Sequence, residues 1–272
     1  MYGSRPSGRG NTRLFTILIA LVMAGISLFK YYSNSSVNEL TGEKQHIAMS
    51  PEQEIAMGLQ SAPQMMAEMG GEVTGTKADQ LVSQVGKKLV AATSAAQTVY
   101  AGQFDFHLLN DPQTVNAFAL PGGQIFITTG LLGRLENQDQ LAGVLGHEIG
   151  HVVARHSAEK LAQMELAQGL TGAVTMATYD PENPNSGYLA QAVSNMLQLK
   201  YGRDQELQSD DLGVRFMMEA GYDPEQLIHV MEILKQAGGG QRIPEFQSSH
   251  PDPDNRKEQI KAAIEKYKKG GQ

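Results

Sequence analysis

The stretch Gln138-Asp139-Gln140-Leu141-Ala142-Gly143-Val144-Leu145-Gly146-His147-Glu148-Ile149-Gly150-His151-Val152-Val153 decides the fold and the chemistry together. Leu141, Val144, Leu145, Val152 and Val153 recur at helical spacing, so the segment predicts a buried helix. His147 and His151 stand at i and i+4, on one face of that helix, where both imidazoles reach a single ion. Glu148 lies beside them, placed to address a water on that ion. This is the HExxH pattern associated with zinc-dependent peptide hydrolysis. A polar face inside an apolar helix has to be satisfied, and a metal ion does that.

Two imidazoles leave a catalytic zinc one protein ligand short. The metzincin solution needs Gly at 154 and His at 157, and the chain has Ala154 and Ser157, which excludes that class. His156 follows five residues after His151, about 140° round a continuous helix, and reads as a polar residue at the helix end. Downstream stands Glu206-Leu207-Gln208-Ser209-Asp210 in an otherwise helical run. Glu206 is the expected third ligand, completing a two-His-one-Glu set for one Zn²⁺ per chain. Asp210, one turn later on the same face, is placed to accept the second N–H of a ligating His, fixing its tautomer.

Composition agrees with this donor set. The 272 residues contain no Cys, so disulfides, thiol nucleophiles and Cys-based metal sites are excluded together. The net charge of -7 and the lack of a long basic run argue against nucleic acid as a partner. The charge is uneven. Residues 1–30 hold Arg5, Arg9, Arg13 and Lys30 and no acid, so all 29 acidic residues lie beyond them. Between Arg13 and Lys30 runs the uncharged LFTILIALVMAGISLF, and a positive flank before an apolar run predicts an export signal or an N-terminal membrane anchor. Ser27-Leu28-Phe29 is a poor cleavage site, which favours the anchor. Either reading puts the acidic body outside the cytoplasm.

The rest of the chain divides into an anchor or signal over 1–32, a Ser/Asn/Glu-containing linker over 33–49 and one domain over 50–269. Ser50-Pro51-Glu52-Gln53 predicts a capped helix start, and 79–93 carries a helical apolar stripe. Residues 104–108 and 124–129 predict strands. The helical pattern beginning at Gln138 continues to about Leu166. YDPENPNSG at 179–187 is a break, helices resume at Tyr188, and Gly238-Gly239-Gly240 marks a joint. Asp223-Pro224 and Asp252-Pro253 each read as a cap followed by Pro. The expected fold is α+β and mostly helical, with a small antiparallel sheet and the HExxH helix at its centre.

His147-Glu148-x-x-His151 followed by Glu206-x-x-Ser209-Asp210 resembles the glu-zincin family of CAAX prenyl proteases and HtpX, BepA and Oma-type quality-control metallopeptidases. Two further segments are similar. Asn116-Ala117-Phe118-Ala119-Leu120-Pro121-Gly122-Gly123-Gln124-Ile125 resembles the lead into the family's substrate-facing edge strand, and Ser249-His250-Pro251-Asp252-Pro253-Asp254-Asn255-Arg256 its late His-Pro…Arg element. The resemblance runs from about Ser50 to Ile260. It is nearest to BepA-like envelope members, without the helical-repeat tail that such members continue into. The resemblance implies a zincin-type metallopeptidase domain acting on unfolded or misassembled proteins of a bacterial envelope. The domain would be either anchored in the inner membrane and facing the periplasm, or secreted to the periplasm if the signal is cleaved. The multiple spans of the prenyl proteases are lacking, so a CAAX substrate is unsupported.

The implied mechanism uses zinc to polarise the scissile carbonyl and Glu148 to move the water proton to the leaving amine. His250 either donates to the developing oxyanion or, as in the BepA resemblance, occupies zinc's open position at rest. Arg256 orients that loop or the tetrahedral intermediate, or forms a salt bridge. An extended peptide would add to a free edge at 124–129, with Asn116, Gly123, Gln124, Ile125 and Phe126 as contacts; an internal strand is the alternative. Residues 164–198 read as a lid or as a helical hairpin. No clamp for a free terminus is evident, so an endopeptidase is expected over an exopeptidase. A membrane-associated chaperone or scaffold that keeps the metal is the competing class, against which the retained Glu148 argues.

Overall fold

Local signals start several of the elements. In the computed structural model, which describes residues 9–178, 202–237, 246, 250 and 255–270, Ser50 caps helix α2 (Pro51–Glu68). Its hydroxyl accepts from the Gln53 amide while the Gln53 side chain returns to the Ser50 amide, the reciprocal capping box that the sequence predicts. Thr76 caps α3 (Lys77–Ala91), which buries Val82, Val85 and Leu89 on one stripe. Asn137 caps α5 (Gln138–Val153), whose residues from Gln140 to Val153 are all buried. Asp223 accepts from the Glu225 amide, just ahead of α8 (Gln226–Ala237).

The remaining α-helices among the described residues are α1 (Arg9–Ser33), a short α4 (Thr129–Leu132), α6 (His156–Thr178), α7 (Arg203–Glu219) and α9 (Arg256–Gly270). Strands β1 (Ser35–Val37) and β2 (Lys44–His46) form an antiparallel pair. Strands β3 (Asp105–Leu109), β4 (Ala117–Ala119) and β5 (Gln124–Thr128) make a sheet in the order β3-β5-β4. The expected antiparallel pairing is that of β4 with β5, Phe118 opposite Phe126. Strand β3 joins β5 in parallel, with His107 opposite Phe126.

This order corrects the expectation of a free edge at 124–129. Strand β5 is central and buried at all five positions, because its run of Ile125, Phe126 and Ile127 is apolar on both faces and needs cover on both. The outer side of β3 is covered as well, by Val73 N–H to Leu108 O and Asn110 N–H to Gly71 O. Strand β4 is the edge, and among the described residues no strand pairs with its outer side. Its register fixes which groups look outward. Thr128 N–H bonds Asn116 O and Leu120 N–H bonds Gln124 O, so the even positions face β5. The main-chain groups of Ala117 and Ala119 face away from it.

The chain divides into two compact units. The larger comprises residues 38–43, 49–158 and 200–272 and holds the three-stranded sheet, with α5 packed against α3, α7, α8 and β4. The smaller comprises residues 1–37, 44–48 and 159–199. Within it, Lys30 pairs with Glu165 at 2.7 Å, and α1 carries Leu14, Phe15, Leu18, Leu21 and Phe29 exposed. Residues Leu14–Ser33 are long and apolar enough to cross a membrane, at a mean hydropathy of 2.0. The break at 179–187, the helices from Tyr188, the joint at 238–240, the cap at Asp252 and most of the expected lid lie outside the described residues.

Helix α5 is shorter than the sequence predicts. The helical run does not continue to Leu166. Helix α5 ends at Val153, and Arg155 takes a left-handed conformation with φ 60°, unusual for a residue with a side chain. The Arg155 guanidinium is tied down by the Glu54 carboxylate and by Met49 O, the latter at 2.7 Å, which holds the turn. Helix α6 then starts at His156.

Candidate metal centre

Helices α5 and α7 supply most of the site, and glycines let them approach. A Cβ on Gly213 would lie 3.1 Å from the main-chain nitrogen of His147, and one on Gly150 would lie 3.0 Å from Ser209 O. Backbones this close put side chains of the two helices around a common point. Gly213→Val is expected to force the helices apart, at a cost of about 1–3 kcal/mol of stability, and to weaken metal retention with it. Melting curves and zinc content measure both, and a variant unchanged in each would contradict the close-packing account.

Around that point stand His147 and His151 from α5, Glu206 from α7 and His250, each offering one donor atom within 4.8 Å of the others, and all four buried. His147 Nε2 lies 3.0 Å from His151 Nε2, 3.3 Å from His250 Nδ1 and 3.5 Å from Glu206 Oε2. Glu206 Oε1 lies 3.0 Å from His250 Nδ1 and 3.5 Å from His151 Nε2. A tetrahedral zinc with bonds of about 2.0–2.1 Å keeps its donors about 3.3 Å apart, so the spacing of this group suits that ion. Glu206 Oε2 and Glu148 Oε1 are buried with no hydrogen bond among the described residues. The Arg256 guanidinium stands 3.4 Å from Glu206 Oε2 as an ion-pair partner, and a metal ion at the common point would give that oxygen a direct partner.

The atoms behind the donors are occupied. Asp210 Oδ1 accepts from His147 Nδ1 at 2.9 Å, which leaves the His147 Nε2 lone pair for the central point. Arg256, on the first turn of α9, forks onto Asp210 with Nε at 2.5 Å from Oδ2 and Nη2 at 2.9 Å from Oδ1. Burial alone would raise the Asp210 carboxyl, but Arg256 and His147 hold it below its ordinary value. Burial likewise opposes ionisation of Glu206, and His250 and His147 together outweigh it, keeping that carboxylate charged. Burial raises the Glu148 carboxyl, only partly offset by His250 and His147.

His250 is 1% exposed. Its amide donates to Phe246 O at 2.7 Å, and its ring stacks on Phe246 at 4.5 Å. Its Nε2 stands 3.7 Å from Glu148 Oε1. The structure thus brings together His147, Glu148, His151, Glu206, Asp210, His250 and Arg256.

The expected peptide contacts are not gathered there as an edge. Gln124 Oε1 meets His107 Nε2 at 3.0 Å and its amide reaches Gln103 O. Ile125 is fully buried, and Phe126 is stacked between His107 and Phe118. Gly123 sits in the tight turn before β5 with φ 118°. Asn116 is buried and its main chain is bound to Thr128.

Two residues of the site were not expected. His156 comes back onto His151, with 2.9 Å between their Nδ1 atoms, because the turn at Arg155 replaces the continuous helix that would carry it away. Burial outweighs the neighbouring Gln208 and Glu206 and lowers its pKa to about 4, so the ring is neutral near neutral pH. Phe246 is the other, and its amide donates to Val115 O at 3.3 Å, just before β4.

A family model described as peptidase family M48 matches residues 76–264. The beta-barrel assembly-enhancing protease of Yersinia pestis is 30% identical over 217 residues, covering 76% of this chain and 43% of that protein. The mitochondrial metalloendopeptidase OMA1 of Schizosaccharomyces pombe is 29% identical over 247 residues, covering 89% of this chain and 70% of that protein. The OMA1 metalloendopeptidase of Arabidopsis thaliana is 32% identical over 178 residues, 65% of this chain and 35% of its own length. The chain therefore spans less than half the length of the Yersinia and Arabidopsis relatives.

Proposed function

The chain belongs to peptidase family M48, and from that premise we propose that it is a zinc-dependent endopeptidase acting on extended or unfolded polypeptides. The observation that carries this reading is the buried group of His147, His151, Glu206 and His250 donors, spaced 3.0–3.5 Å at their close approaches. His147, His151 and Glu206 hold the ion. When bound, zinc supplies Lewis-acid polarisation of the scissile carbonyl and makes water acidic enough to react near neutral pH. Glu148 takes the proton of the attacking water and passes it to the leaving amine nitrogen. Its buried, raised carboxyl is suited to move a proton in both directions. Asp210 holds the His147 ring in its ligating tautomer, and Arg256 holds Asp210 in turn.

His250 is read as a reversible fourth ligand. Its Nδ1 belongs to the donor group, 3.0 Å from Glu206 Oε1, which supports this role over that of oxyanion donor. His250→Ala is expected to raise turnover several-fold, measured as initial rates at saturating zinc. A fall in rate would instead support the oxyanion role.

The peptide adds to the outer side of β4, where the main-chain groups of Ala117 and Ala119 face outward. Main-chain pairing of this kind selects extended segments over folded ones. The apolar α1 anchors the chain in a membrane of the bacterial envelope, with the acidic body on the side opposite the basic N-terminus. Misassembled envelope proteins are then the substrates within reach.

Digestion of unfolded casein by the full chain in detergent tests the activity. Cleavage is expected to stop with a chelator and return with zinc. Cleavage indifferent to the chelator, or none by the zinc-loaded chain, would contradict the proposal.

A further inference from the structure

Histidine 151 can ligate through Nε2 only if its proton sits on Nδ1 and that proton has somewhere to go. For His147 the acceptor is a carboxylate. For His151 the group at that place is a second imidazole, His156, with Nδ1 at 2.9 Å from His151 Nδ1. Two nitrogens so close share one proton, and the far side of His156 decides which of them carries it. His156 Nε2 lies 2.7 Å from Gln208 Oε1. The amide oxygen can only accept, so the His156 proton is on Nε2 and its Nδ1 presents a lone pair. Ser209 Oγ lies farther from that same Nδ1, at 3.2 Å, so His151 is the nearer partner for its one lone pair. His156 is 1% exposed, which keeps water from substituting for either bond.

We propose that His156, fixed by Gln208, is the positioning residue for the metal ligand His151: its Nδ1 lone pair accepts a hydrogen bond from His151 Nδ1–H, which leaves the His151 Nε2 lone pair for the metal. If the His156 proton were on Nδ1, His151 would become the acceptor and its Nε2–H would face Glu206 and His147, which closes the site to a cation. The α7 segment Glu206–Asp210 thereby serves both imidazoles, through Asp210 for His147 and through Gln208 by way of His156 for His151. The turn at Arg155, held by Glu54 and Met49 O, places His156 within reach.

The proposal rests on the metal reading above, and the test separates the two. Zinc dissociation constants are measured by chelator competition on the full chain and on two variants. His156→Leu removes the acceptor, and His156→Asn keeps an oxygen in the place of Nδ1. Loss of an outer hydrogen-bond partner costs about 10–100-fold in metal affinity, which is expected for Leu, with Asn recovering most of it. Leu binding zinc as tightly as the unaltered chain, or Asn losing as much as Leu, overturns the proposal. If the unaltered chain binds no zinc, the metal reading itself fails. Nitrogen-15 spectra of histidine-labelled, zinc-loaded unaltered protein give a readout that needs no variant. They are expected to show His151 protonated on Nδ1, with that proton protected and bonded to a second nitrogen. Coordination through His151 Nδ1, or a proton exchanging as fast as in an exposed histidine, overturns it.

Discussion

Glu148→Gln is expected to lower kcat/KM for peptide cleavage by at least about 10²–10⁴-fold while zinc content stays at the unaltered level. The two side chains have the same shape, and Glu148 is not among the four donors that share the central point, so the ligand cage is left as it was. What disappears is the ability to accept a proton. Glu148 Oε1 has no hydrogen bond among the described residues and stands 3.7 Å from His250 Nε2. At that oxygen the substitution therefore breaks no hydrogen bond among the described residues, and the melting temperature is expected to hold. Rates on a quenched fluorescent peptide, with metal content measured on the same sample, check both halves. Undiminished cleavage would remove Glu148 from the role of base.

Glu206→Gln is expected to empty the site. The carboxylate is fully buried and is the only negative charge among the four donors. Removing one partner of a buried charge pair costs roughly 3–5 kcal/mol, which corresponds to about a 10²–10⁴-fold loss of zinc affinity. The neutral amide fills the same space and its oxygen can still accept from the side chains around it, so the fold is expected to survive. Zinc binding followed by competition with a chromophoric chelator, beside far-ultraviolet circular dichroism, separates loss of metal from loss of structure. Tight binding by Glu206→Gln would exclude Glu206 as a ligand.

Much of the site could be read along the chain because its spacing is helical. His147 and His151 lie one turn apart on α5, Glu206 and Asp210 one turn apart on α7, and helical geometry alone puts each pair on one face. The capping box at Ser50 was legible for the same reason, since it is written in consecutive residues. The edge strand was misread because the run 124–129 gives an apolar strand without saying how many neighbours it has. That count depends on the return of 117–119 and on the docking of 71–73 against β3. The contact of His156 with His151 is not legible because no Gly or Pro marks the turn before it. Arg155 is left-handed with its guanidinium gripped by Glu54, about a hundred residues earlier, and a long-range ion pair leaves no mark on local periodicity.

The central claim is that two imidazoles and one distant carboxylate hold a single zinc ion. The most direct measurement is metal content per chain of the purified, folded protein, taken as isolated and again after chelation and readdition of zinc. One equivalent of zinc, lost to the chelator and regained on titration, is the predicted result. A folded chain that is empty as isolated and takes up no zinc would contradict it.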